Sequence, residues 1–206
     1  QGNYFYIVGS QSKAAGLGRE GLVRFSFDPR HPKVEKIEAI SGLNTFLERE
    51  VADLRSVDRR KRRNELNIEG LAWDPKNRRF LLGLRSPVIN GQALVVPLKL
   101  KNLDGPFSSE NLEVDGGKAI RLSINGNGVR STEYDPQRDA FLIVAGSVGD
   151  ENRNFRLLSW VDASSGPTLQ ELARFPSRLK PEGIARLSEG GHRTIMVFDT
   201  SHYLVN

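Results

Sequence analysis

The sequence predicts an all-β chain: a partial β-propeller of four-stranded antiparallel blades, its N-terminal blades missing, with one helix inserted near 43–58. Three observations point there. Apolar runs are short, often alternate with polar residues, and are cut by Gly, Pro, Asn and Asp, as half-buried strands and tight turns are. Similar strands recur in one order at intervals of about 50–60 residues, the mark of a repeat architecture. The units number two whole and two partial, short of the ~4–8 blades of a closed propeller. The chain therefore reads as a single propeller domain over 1–206, or as the C-terminal part of one.

The recurring strands can be taken in turn. "FYIVGSQS" (5–12), "FLLGLRS" (80–86), "FLIVAGS" (141–147) and "IMVFDTS" (195–201) share an aromatic or large apolar start and a small polar end. A strand precedes three of them: "IEGLAWDP" (68–75), "VRSTEYDP" (129–136) and "EGIARLSE" (182–189). A third strand follows at "GLVRFSFDP" (21–29), "ALVVPLKL" (93–100) and "FRLLSWVDA" (155–163), and fourth strands fit "KVEKIEAI", "KAIRLSI" and "TLQELARF". Asp74-Pro75 and Asp135-Pro136 fit tight turns, in which Asp bonds the local backbone and Pro fixes φ. The first unit lacks its leading strand and the last its trailing pair, so unpaired edges are expected to favour self-association.

Residues 41–66 break the pattern. Leu43, Phe46, Leu47, Leu54 and Val57, with Val51 nearby, fall close to one helical face. They predict a helix of three to five turns, capped by Ser41 or Asn44, with its basic tail in solvent.

Composition narrows the function classes. The 206 residues are 38% apolar and 27% charged, ordinary for a soluble globular chain. No run approaches the ~20 apolar residues of a membrane span. Cysteine is absent, which removes disulfides, thiolate metal sites and thiol nucleophiles, and suits either redox compartment. The first residues, "QGNYFYIVGS", carry neither an initiator Met nor a signal-peptide pattern, so the natural N-terminus is expected upstream, with cytoplasm favoured over export. The net charge of +5 equals the contribution of "RRKRR" at 59–63. A basic footprint spread over the surface is thus excluded, and a nucleic-acid role disfavoured.

The familiar motifs fail their context tests. "GLGREG" (16–21) has dinucleotide-loop spacing but precedes a strand-like segment, so it reads as a hairpin loop. No phosphate-binding P-loop or nucleophile elbow occurs. His31, His192 and His202 sit in turn-like segments without metal-ligand spacing.

Glu69 and Glu182 are the candidates that remain. In the repeat they hold the same place, at the start of the innermost strand, where a carboxylate can bind a hard cation or orient a substrate. The alternative is structural: the carboxylate accepts N–H groups of the neighbouring blade while Gly70 and Gly183 permit close packing. The third copy carries Arg130 there, a donor with no acceptor, which moves weight toward a mixed-charge channel site. Arg85 and Lys180 are further anion contacts, unless Arg85 pairs with a Glu across the channel.

"FYIVGSQS", "NIEGLAWD…LLGLRSPVINGQALVVPL" and "LKPEGIARL…IMVFD" resemble an uncharacterised bacterial family of unknown function over nearly the whole chain. More distantly, the EGLA and PEGI elements look like those of phytase-like esterase propellers. That resemblance implies Ca²⁺ at Glu69 and Glu182 alone; on a hydrolase reading, Arg85, Arg130 and Lys180 are the residues expected to meet an anionic substrate. Metal would polarise a phosphoryl or acyl oxygen and activate water. The resemblance carries over only loosely, because the dense acidic cluster of true phytases is absent. A non-enzymatic propeller that binds a small anion or a protein on its channel face is the other reading.

Overall fold

Strands form where the alternation and the apolar runs place them. In the computed structural model the described residues are 4–12, 20–28, 30, 33–58, 61, 64–149, 155–163, 166–187 and 193–199. A first sheet holds β1 (Tyr4–Val8), β2 (Leu22–Asp28) and β3 (Lys33–Ile40). A second holds β4 (Asn67–Asp74), β5 (Arg79–Ser86) and β6 (Ala93–Leu100), with β7 (Leu112–Val114) and β8 (Ile120–Leu122) both paired to β6. A third holds β9 (Gly128–Asp135), β10 (Ala140–Gly146), β11 (Phe155–Ala163) and β12 (Gly166–Phe175). The last pairs β13 (Pro181–Arg186) with β14 (Thr194–Phe198). All these pairings are antiparallel.

Why β5, β6 and β10 read as unbroken apolar runs is explained by burial on both faces. In the second sheet Phe80, Leu82, Leu84 and Val96 join a core shared with Leu22 and Ile40 of the first sheet. Leu81 and Val95 point the other way, into a core with Val129, Ile143 and Trp160 of the third sheet. Leu142 and Val144 then meet Ile184 of the fourth. The sheets therefore stack face to face in chain order. Each fully buried leucine in these layers contributes about 2 kcal/mol of apolar transfer energy. The leading strands also touch, β4 against β9 and β9 against β13.

Glycine permits that approach at β4. A Cβ on Gly70 would stand 2.7 Å from Thr132 Oγ1 and 3.0 Å from Val129 Cγ1. At Gly183 it would meet only Val197, at 3.8 Å, so the expected need for glycine holds at the first position and not at the second.

Two further expectations need correcting. The inserted helix is two helices, α1 (Leu43–Glu50) and α2 (Ala52–Arg55), separated at Val51, whose backbone is extended. The Val51 N–H closes α1 on the Leu47 carbonyl, and its own carbonyl accepts from Leu54. Turning there buries Val51 and Leu54 together with Leu43, Phe46 and Leu47. Neither Ser41 nor Asn44 caps α1; the N-cap is Gly42, in the left-handed region. The fourth strand of the second unit is split. "KAIRLSI" supplies β8, which pairs with Ala93–Val95, while the unforeseen β7 pairs with Leu98–Leu100.

Among the described residues the molecule is thus mostly β, with several antiparallel sheets and two short α-helices. The described sheets do not close into a ring. No helix among the described residues is long and apolar enough to cross a membrane.

Candidate functional site

One irregularity recurs in the leading strands of three sheets. In β4, Ile68 pairs with Leu84 and Gly70 with Gly83, so Glu69 is an extra residue. In β9, Val129 pairs with Ala145 and Ser131 with Val144, so Arg130 is extra. In β13, Pro181 pairs with Phe198 and Gly183 with Val197, so Glu182 is extra. A bulge inserts one unpaired residue and re-aims its side chain. The candidates that the repeat aligned are therefore the bulged residues of three successive sheets.

Their side chains meet in alternating charge. Arg85 Nη1 donates to Glu69 Oε1 at 2.9 Å, and Arg130 Nη1 donates to Glu69 Oε2 and to Glu182 Oε2, each at 3.0 Å. Asn67 Nδ2 adds a bond to Glu69 Oε1 at 3.2 Å. Arg130 is 7% exposed, its guanidinium carbon 5.6 Å from the centre of the Phe155 ring. Its stem passes Gly146, where a Cβ would lie 3.1 Å from Arg130 Cγ. Among the described residues, Nε of Arg130, Nε of Arg85 and Oδ1 of Asn67 are buried without a hydrogen-bond partner.

Burial and the nearby Glu69 charge push the Glu182 carboxyl up, against the pull of Arg130 and Arg85. Its side chain keeps 33% of its exposure, so it forms the solvent end of the chain. Lys180 stands apart. It is exposed, and its carbonyl accepts from the Asp199 N–H at 2.7 Å. Of the five residues singled out in the sequence, the fold brings four together.

The donor set does not suit calcium. A hard cation of that size takes about 6–8 oxygen ligands. Here a guanidinium lies between the two carboxylates, and no group of three or more metal-ligating acids or histidines occurs among the described residues. The alternative role expected of the glutamates, accepting N–H groups from the next sheet, falls instead to Ser131, whose Oγ accepts from Ile184.

A second set of charges was not foreseen. Asp74 and Asp135 make the expected turn bonds, to the Asn77 and Gln137 N–H groups. Each also binds arginine. Arg79, itself buried, donates to Asp74 and Asp115 at 2.9 Å and to Asp162 of the third sheet. Asp135 accepts from Arg138 at 2.6 Å and from Arg186 of β13 at 2.8 Å. The repeated Asp-Pro was the available signal, with Arg79 and Arg138 a few residues further on; Arg186, Asp115 and Asp162 lie too far along the chain to be read from it. Other features include a groove of about 890 Å³ lined by Tyr4, Tyr6, Trp73, Phe80, Arg24 and Arg78. His31, His192, His202, residues 16–19 and all of "RRKRR" except Lys61 lie outside the described residues.

Neither a curated protein nor a solved structure matches the chain. No phytase-like relative therefore emerges. Residues 43–202, most of the chain and all three bulges, match the family described as a protein of unknown function (DUF3616), and the chain belongs to that family.

Proposed function

We propose that the chain is built of β-propeller blades and binds a small oxyanion, without turning it over, at the bulges of its leading strands. Face-to-face sheets in chain order, leading strands in contact, and bulges at matching positions all support the propeller reading. The binding reading rests on one observation. Arg130 is buried between two carboxylates, yet its Nε, like that of Arg85, has no described partner. Buried donors without acceptors are costly, and a ligand oxygen that shifts these side chains can satisfy them. Titrating inorganic phosphate and acetate into wild type and Arg85→Gln, followed by calorimetry, tests it. Binding that weakens about tenfold or more in the variant is expected, by the usual worth of a charge-assisted bond. Absence of binding to wild type defeats the reading.

A hydrolase is the second reading, favoured by the raised Glu182 carboxyl, which suits a general acid. It needs no calcium. Turnover of p-nitrophenyl phosphate or acetate that disappears in Glu182→Gln supports this reading over the first, and no turnover by wild type removes it.

A further inference from the structure

We propose that the ligand of this site is a small zwitterion, an oxyanion head joined to an ammonium group by a short linker. The inference rests on the binding reading above and names its ligand class. Four side chains in alternation, Arg85, Glu69, Arg130 and Glu182, sum to zero charge. Both described bonds of Arg130 to carboxylates leave from the single atom Nη1. An oxyanion that engages the other nitrogens of Arg130 or Arg85 therefore displaces no bond, but it draws on the same positive charge that compensates Glu69 and Glu182. A simple anion gains a partner only by weakening the compensation of a carboxylate already short of water. Leaving one member of a buried charge pair uncompensated is the expensive outcome.

A zwitterion avoids it. Its oxyanion takes the unpartnered arginine edges, and its ammonium replaces the guanidinium at the loosened carboxylate. Glu182 is the carboxylate placed for that exchange. It ends the chain, it is the most exposed of the four, and its described bond runs through Oε2 alone. Asp199, at the end of the neighbouring strand, adds negative charge on the same side. A simple cation can meet Glu182 but leaves the unpartnered guanidinium nitrogens of Arg130 and Arg85 unsatisfied. Since Arg130 Nη1 lies 3.0 Å from both carboxylates, the two poles of the ligand fall within a few bonds of each other.

Phosphoethanolamine and methyl phosphate share a phosphate head and differ in the ammonium. Isothermal titration of the 206-residue chain with each is expected to show phosphoethanolamine bound about tenfold more tightly, as one added charge-assisted bond implies. Glu182→Gln should remove that preference, and Glu182→Asp, which keeps the charge, should retain most of it. Circular dichroism checks that both variants fold. Equal affinities in wild type overturn the zwitterion inference and leave the oxyanion reading standing. A preference that persists in Glu182→Gln also overturns it. If neither compound binds wild type, both readings fall together.

Discussion

Arg130 is a structural joint as well as a candidate ligand contact, because one nitrogen serves carboxylates from two other sheets. Removing it leaves Glu69 and Glu182 facing each other. Arg130→Ala is expected to cost about 3 kcal/mol, toward the low end for breaking a buried pair because Glu182 reaches solvent. Urea unfolding measures it, and a loss below about 1 kcal/mol would assign the chain no structural weight. Gly70 and Gly183 occupy matching positions but should respond differently. Gly70→Ala forces Thr132 and Val129 aside, for about 1–3 kcal/mol, whereas Gly183→Ala should stay within about 0.5 kcal/mol. Asp135 is one contributor to the pH response. Burial pushes its carboxyl up, but Arg138, the Gln137 N–H and Arg186 together hold it below the usual range. The unfolded state then binds the proton more readily, so this stability is complete above the ordinary Asp value of about 3.9 and is lost as pH falls through the folded value. Asp135→Asn should be less stable at neutral pH and show a flatter acid limb in urea midpoints. At this scale the sequence exposed Glu69, Glu182 and Arg130 through their repeated positions, and Arg85 through its place near the same strand ends. It hid who bonds whom, because each partner depends on where a bulge turns a side chain.

Among the elements, the strands were the legible part. Alternation marked β4, and continuous apolar runs marked β5, β6 and β10. The break at Val51 and the divided outer strand were not legible. Periodicity continues across a kink that tertiary burial imposes, and "NLEV" is too short to register as a strand. Asp53 shows what the kink achieves. From α2 it accepts the Ala119 N–H at 2.9 Å and binds Arg121 at 2.6 Å, tying the helices to β8. Asp53→Ala is expected to cost about 1–2 kcal/mol, the price of leaving a partly buried N–H unpaired. Hydrogen exchange should locate the loss in residues 117–122; exchange that quickens evenly over the second sheet would refute that local role.

For the whole molecule, the terminal sheets each leave an apolar face uncovered. Ile7 is 55% exposed beside Phe5, and Val197 is 60% exposed beside Ile195. The 206-residue chain is therefore expected to associate with rising concentration and to bind a hydrophobic dye. Sedimentation velocity should show Ile195→Lys/Val197→Lys shifting that association toward monomer, and unchanged sedimentation would clear this face. Repetition in the sequence made the order of the sheets readable, but not the charges that fasten one sheet to the next, such as Arg186 to Asp135. The three bulges have a consequence for descent. What they require is opposite signs on neighbouring sheets, not glutamate or arginine at any given one. A lineage can drift to Arg, Glu, Arg at positions 69, 130 and 182 only if residue 85 becomes acidic as well, so these four sites should change together and rarely alone.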